Sequence, residues 1–378
     1  MPDLVIRNGR VLDSDGTLTE RDLTIESSRV TVGARHRPLR EIDAAGMIVA
    51  PGLIDLQING GWGHDFTSDP TSIGTVAAHL PATGVTAFVP TVVTSSAQRR
   101  AEALAAFAAY RPQPGAAVAL GLHFEGPMIS PERAGAHDPA HIAQIDPAEA
   151  AAWSPAGGVV LVTLAPETPG ALDLIAALRA RGVVVSLGHT ACTADQFAAA
   201  RQAGAAAVTH LFNAMAPFDH RRPGPIGATL ADPTVVAGLI CDGHHVDPVA
   251  VQAAWRALGP ERTLLVTDAV GALGLPVGTT RVSLASVPVT VGADGVRNPD
   301  GVLAGSNLSM DQAVRNLVAF TGCTTAEAIR SATTVPADVL GLTDRGRLDP
   351  GARADVVLLD DDLRVQHTIV GGVTAWKS

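Results

Sequence analysis

Lysine is almost missing from this 378-residue chain; the single one is Lys377, next to the last position. A phosphate-cradling P-loop, a Schiff-base lysine and a carboxylated lysine bridging two metal ions all need an interior lysine, so all three are excluded. Cysteine is scarce as well. Cys192, Cys241 and Cys323 are far apart and form no C-x-x-C pair. That pattern fits a reducing compartment and offers no disulfide framework. Excess positive charge is absent, the formal net charge being −10. A nucleic-acid partner is not expected, because gripping a phosphate backbone needs a basic face. A small anionic substrate needs only a local group of cations. No apolar run is long enough to span a membrane, and the start, Met1 to Arg7, has no signal-peptide hydrophobic region. The cytoplasm is therefore the expected location, with no membrane partner.

What is present is an ordinary globular composition, 47% apolar and 17% charged. Residues 1–49 read as short strands, with Asn8-Gly9 and Asp15-Gly16 as hairpin signals. The C-terminus is similar, with Asp355–Asp360, Val365–Val370 and Val373–Trp376. Two β-rich ends around a different middle predict a small β-sandwich built from residues 1–50 and 347–378. The middle, 51–346, alternates apolar runs with alanine-rich helical stretches. Candidate strands are Ile48–Gln57, Thr86–Val89, Val118–Phe124, Val159–Leu164, Val183–His189, Ala206–His210, Val236–Cys241 and Thr263–Asp268. Helices are expected between them, among them Ile73–Ala82, Ala97–Tyr110, Ala171–Ala180, Thr193–Ala203 and Pro248–Leu258. Such alternation implies right-handed βαβ units, and eight strands fit a closed (β/α)8 TIM-like barrel in the α/β class. Residues 281–303 interrupt it and read as a β-hairpin insertion able to cover the barrel mouth.

Four polar residues each close one of these β-like runs: Glu125, His189, His210 and Asp268. Active sites of β/α barrels are built at that end of the strands. A lone histidine after a strand is more often a hydrogen-bonded structural residue, and a lone glutamate there is often solvated. At equivalent positions on three strands, however, one carboxylate and two imidazoles suit Zn2+ or Fe2+ with coordination positions left open. Asp268 is then a proton acceptor beside the ion; its other reading, a helix N-cap, suits the following Ala-Val-Gly poorly. His123 lies two residues before Glu125 and so shares its barrel face, as a further ligand or a supporting partner. Gln57 and Asn59 stand where two-metal barrels carry His-x-His, and neutral amides are poor ligands, so one ion is expected. His137, Asn213, Arg221 or Arg222, and Asp242 with His245 are further polar groups near these strand ends. An arginine with His245 can grip a phosphate.

Taken in order, Pro51-Gly52-Leu53-Ile54-Asp55, His123-x-Glu125-Gly126-Pro127, Gly188-His189-Thr190, Thr209-His210-Leu211-Phe212-Asn213-Ala214-Met215, Arg221-x-Pro223-Gly224, Asp242-Gly243-x-His245, Thr267-Asp268-Ala269 and Leu303-Ala304-Gly305-Ser306 resemble the N-acetylglucosamine-6-phosphate deacetylase family of the amidohydrolase superfamily. The resemblance implies a metal-dependent hydrolase that releases acetate from an N-acetylated amino-sugar 6-phosphate. It implies Glu125, His189 and His210 as ligands of one divalent ion per subunit, zinc by expectation, with Fe2+, Co2+ and Mn2+ as alternatives. It implies Asp268 as the proton carrier and His137 as the group polarising the acetyl carbonyl. Ala136, His137, Asn213, Ala214, Arg221, Asp242 and His245, with Leu303, Ala304 and Gly305, would contact substrate. Arg221 or His245 would reach in across a homodimer interface near the active site. The other readings are the galactosamine epimer as substrate, a different amidohydrolase reaction, and a barrel that has lost its chemistry.

Overall fold

The computed structural model describes residues 3–33, 38–280, 282–285 and 287–378. Residues 281 and 286 of the expected insertion, and the first two residues, lie outside that set.

The barrel is a run of parallel strands in chain order: Leu53–Ile58, Val85–Val93, the interrupted pair Val118–Ala119 and Leu122–Glu125, Val159–Leu164, Val184–Leu187, Ala207–Val208, Val236–Leu239 and Thr263–Leu265. Each pairs with the next in parallel. The seam between the last strand and the first is not a ladder. It is drawn together by the bridge Ile58–Ala269 and by hydrogen bonds from Asp268 N to Gln57 O (2.9 Å) and from Asn59 N to Ala269 O (2.7 Å). The strands are buried along their length, which is why they read as continuous apolar runs rather than alternating ones.

The expected strand Ile48–Gln57 is in fact two. Ile48–Pro51 belongs to an outer sheet and Leu53–Ile58 to the barrel. Gly52 makes the break. A Cβ there would lie 2.2–2.7 Å from the Thr86 side chain, so only glycine lets the two strands approach.

The outer sheet has six strands, in the order Val373–Lys377, Val365–Val370, Val356–Leu359, Ile48–Pro51, Arg10–Leu12 and Leu18–Glu20. A four-stranded sheet, Arg29–Thr31, Leu23–Glu26, Leu4–Arg7 and Arg40–Asp43, faces it. Leu4, Ile6, Leu23 and Ile25 of one pack with Val11, Val49, Val356 and Ile369 of the other. The β-rich region is thus built from both ends of the chain. Asn8-Gly9 does not form the expected hairpin. It carries the chain from one sheet to the other, because Leu4–Arg7 pairs with Leu23–Glu26 and Arg10–Leu12 with Ile48–Pro51 and Leu18–Glu20.

Ala171–Ala180 and Pro248–Leu258 are helices over the expected residues, and Thr193 caps Ala194–Ala203 with a capping box. A helix at Gly224–Ala231 was not expected, since it opens on Gly-Pro-Ile-Gly; proline is tolerated at that first turn. The insertion has one strand more than a hairpin: Val282–Leu284, Val287–Gly292 and Gly295–Arg297 run antiparallel. Its Val289, Val291 and Val296 pack on Val93, Val270 and Ala272 at the barrel mouth.

Candidate metal centre and active site

At the mouth the chain leaves the barrel abruptly. His189, His210 and Asp268 have φ of +48°, +27° and +49°, and Gly126, after Glu125, has +85°. A residue with a Cβ pays about 1–2 kcal/mol for such a backbone. Strain of this kind persists where surrounding contacts over-determine it, and it collects at functional sites. The turns aim the side chains inward: Glu125 is 2% exposed and the two histidines 4% each.

There they meet. Glu125 Oε1 lies 3.2 Å from His189 Nε2 and 3.0 Å from His210 Nε2, and the two Nε2 atoms are 3.1 Å apart. His189 Nδ1 donates to the carbonyl of Arg133 at 2.9 Å, which leaves its Nε2 as a bare lone pair. Unshielded acceptors this close repel one another unless a cation lies among them. Ligands of a tetrahedral ion, each about 2.0–2.2 Å from it, are separated by roughly 3.3 Å, near the spacing seen. The donor set therefore fits a divalent ion. A proton on an imidazole can take the same place. Burial works against the Glu125 anion, but hydrogen bonds from His189 and His210, when those rings carry that proton, outweigh it and hold its carboxyl well below the usual range. Burial also opposes a charged His210, and Glu125 overrides that to raise its pKa.

Asp268 stands beside the cluster. Gln57 Nε2 bridges the two carboxylates, 3.0 Å from Glu125 Oε1 and 3.3 Å from Asp268 Oδ1, while Asn59 Nδ2 donates to Asp268 Oδ1 at 2.7 Å. The amides at the end of the first strand thus act as donors to carboxylates. Burial, and then the negative charge of Glu125, push Asp268 up to about 6. That value suits a group that must both take and give a proton near neutrality.

His137 reaches the same space from the loop after Glu125. Its Nδ1 lies 2.8 Å from Thr94 Oγ1 and its Nε2 3.8 Å from Glu125 Oε2. Burial above all depresses it to about 3, so the ring is neutral at ordinary pH. His123 is not part of the ligand cluster. Its two nitrogens bond Thr91 Oγ1 (3.1 Å) and Thr163 Oγ1 (2.8 Å), and the chain of hydroxyls runs on through Thr209 to Ser186. This polar layer ties together the strands that lead to the cluster.

The cavity over the cluster holds about 230 Å³. Ala136, His137, Asn213, Ala214, His245, Leu303 and Gly305 line it beside the four strand-end residues. Leu284 and Val302 of the insertion close one side. Asp242 is not on the wall but behind it, where its Oδ2 lies 2.6 Å from Nδ1 of His245. Ala304 is buried in the packing of the insertion. Arg221 is exposed and lines a separate cavity of about 540 Å³ with Arg222 and Asp219.

Residues 48–375 match the model of the amidohydrolase family. A human N-acetylglucosamine-6-phosphate deacetylase is 40% identical over 392 residues, with 100% of this chain and 92% of that protein covered. The chain belongs to the amidohydrolase family, among its N-acetylglucosamine-6-phosphate deacetylases. An N-acetylgalactosamine-6-phosphate deacetylase of Escherichia coli O157:H7 is 39% identical over 377 residues, covering 98% of this chain and 99% of that one. A mutant N-acetyl-D-glucosamine-6-phosphate deacetylase from Mycobacterium smegmatis, solved in complex with N-acetyl-D-glucosamine-6-phosphate, superposes with a TM-score of 0.88 at 35% identity, covering 99% of this chain and 100% of that one.

Within this amidohydrolase several supporting residues escape a reading of the sequence. Thr94 holds His137, and the Arg133 carbonyl orients His189. Glu167 accepts from Thr190 Oγ1 and Ala191 N, both at 2.6 Å, fixing the turn after His189. A threonine, a main-chain carbonyl and a loop glutamate carry no local mark of such work. Asp55, a carboxylate inside an apolar strand, does carry one.

Proposed function

We infer that the protein hydrolyses the acetamide of N-acetyl-D-glucosamine 6-phosphate to D-glucosamine 6-phosphate and acetate. One observation carries this reading: the buried Glu125, His189 and His210 donors converge beside Asp268, in a chain that matches deacetylases of this substrate from end to end. When bound, a divalent ion lowers the pKa of water and polarises a carbonyl. Zinc is the ion proposed, since a carboxylate and two imidazoles suit it; one ion is expected, since Gln57 and Asn59 spend their donors on carboxylates.

The residues of the chain divide the remaining work. Asp268 takes a proton from the attacking water as oxygen bonds to the acetyl carbon. It then delivers that proton to the nitrogen as the C–N bond breaks, so that a neutral amine departs rather than an amide anion. His137, neutral and fixed through Nδ1 by the Thr94 hydroxyl, offers Nε2–H to the carbonyl oxygen, where negative charge grows. Ala136, Asn213, Ala214, Leu303 and Gly305 shape the cavity around the sugar, with Ala304 packed behind it. His245, oriented by Asp242, faces the phosphate. Arg221 lies outside the cavity of its own chain, which supports a homodimer in which it completes the phosphate site of the neighbouring subunit.

The working division is a barrel over 51–346 and a sandwich of 1–50 with 347–378. Three buried free cysteines support a reducing compartment, the cytoplasm, as the location. No helix among the described residues is long and apolar enough to cross a membrane.

The deciding experiment is acetate release from the N-acetylated 6-phosphates of glucosamine and galactosamine, with and without a chelator. Chelator-sensitive release from the glucosamine compound is the expected result. No release from it overturns the reading, and faster release from the galactosamine compound transfers it to the epimer.

A further inference from the structure

Asp55 is wholly buried in the middle of the first barrel strand, and none of its hydrogen bonds reaches the ligand cluster. A carboxylate in such a place is costly unless its oxygens are satisfied. They are satisfied mainly from the far side of the barrel seam, by Thr267. Thr267 Oγ1 donates to Oδ2 at 2.5 Å, while Gln57 N and Thr267 N donate to Oδ1 at 3.2 and 3.4 Å. Thr267 immediately precedes Asp268. Its hydroxyl oxygen also accepts from Ala269 N at 3.2 Å, and its carbonyl accepts from Ser306 Oγ at 2.6 Å. The peptide after Asp268 is therefore tied to the Thr267 hydroxyl, and that hydroxyl to Asp55, while the peptide before it is held by Ser306.

We propose that Asp55 is a positioning residue that, through Thr267, sets the backbone and hence the aim of Asp268. The proposal rests on reading Asp268 as the proton carrier. It accounts for three facts together. Asp268 has φ of +49°, which a residue with a side chain keeps only under constraint. The regular ladder of the last strand ends at Leu265; beyond it Asp268 keeps only single main-chain bonds, from its N to Gln57 O and from Ser306 N to its carbonyl, both at 2.9 Å, and the Thr267–Asp55 contact adds to them. The Asp268 carboxylate nonetheless meets Asn59 Nδ2 at 2.7 Å, a geometry that a small rotation of the chain would lose.

The substitution Asp55→Asn tests this. Asparagine keeps one acceptor for the two backbone N–H groups, but its amide N–H faces the Thr267 hydroxyl and competes with Ala269 N for that oxygen, so the linkage is weakened without leaving a void. The metal-loaded protein should keep its ion content and its KM. Its kcat should fall on the order of 10- to 100-fold, the scale of a sub-ångström misplacement of a reacting group. Thr267→Val should reproduce the loss, and Thr267→Ser, which keeps the hydroxyl, should restore most of it. Asp55→Asn with Thr267→Val should be no worse than Thr267→Val alone, because both act on one linkage. A crystal structure of Asp55→Asn should show the Asp268 carboxylate displaced from Asn59.

Losses that multiply in the double variant overturn the proposal. So does an unchanged kcat, or an equal fall of kcat and ion content, which marks a purely structural role. If Asp55→Asn fails to fold, the Thr267→Val and Thr267→Ser pair decides alone: equal activities overturn the proposal. Failure of the underlying reading looks different, since Asp268→Asn itself would then retain turnover.

Discussion

Asn59 Nδ2 donates a 2.7 Å hydrogen bond to Asp268 Oδ1, joining the first strand of the barrel to the residue just beyond its last. The bond stabilises the carboxylate and so works against the burial that pushes Asp268 up to about 6. A proton acceptor works only above its pKa, so turnover should fall as the pH drops through the Asp268 value. In Asn59→Leu that value rises, and the acid limb of the kcat profile should move to higher pH by up to about one unit. A limb that stays in place removes Asn59 from the electrostatics of the base.

Asp268→Asn should leave the ion in place, since the proposed ligands Glu125, His189 and His210 are untouched. Its kcat should fall by roughly two to four orders of magnitude, the usual worth of general acid–base catalysis. Metal analysis alongside steady-state kinetics separates this outcome from loss of the ion.

Chelation should abolish acetate release, and one equivalent of zinc per chain should restore it. Because the ion binds the folded protein, about 100-fold excess over Kd should stabilise it by about 2.7 kcal/mol. Thermal melts with and without chelator read this directly. Glu125→Gln should show neither the melt shift nor bound zinc.

Arg221→Ala should raise KM for the phosphorylated sugar on the order of 10- to 100-fold, the scale of a lost charged hydrogen bond, and leave kcat nearly unchanged. An unaltered KM would move the phosphate site elsewhere.

Burial pushes the Asp55 carboxyl up to about 7, against hydrogen bonds from Thr267 and Gln57. A carboxyl raised on folding binds its proton more tightly in the folded chain than in the unfolded one. Its contribution to stability is therefore greatest below about pH 4 and declines as the pH rises toward 7. Each unit between folded and unfolded values is worth about 1.4 kcal/mol. The difference in unfolding free energy between the parent and Asp55→Asn should shift against the parent from pH 4 to pH 7. Denaturant titrations at the two values test the sign.

The cluster able to hold an ion was legible in the sequence because Glu125, His189 and His210 each interrupt an apolar run with a group that water or a metal must satisfy. The barrel was legible for a related reason: strands buried on both faces read as unbroken apolar stretches. Contacts made through generic groups were not. Thr94 sits 43 residues from His137, and the Arg133 carbonyl 56 residues from His189, with nothing local to announce either pairing. Asn8-Gly9 misled for the opposite reason. It is a strong local turn signal, but parallel pairing of Arg10–Leu12 with Ile48–Pro51 sends the chain to another sheet. The helix Gly224–Ala231 was hidden by the glycines and proline that open it.

The strand Ile48–Pro51 has Arg10–Leu12 on one side and Val356–Leu359 on the other, and Arg40 bonds the carbonyl of Gly372, 332 residues further on. A growing polypeptide must therefore have made the residues through Gly372 before that sheet can be filled. Until then an apolar edge waits without a neighbour, open to strands of other molecules. Clipping the returning segment should recreate this condition in the finished protein, and clumping, rather than a weaker enzyme, is its natural result.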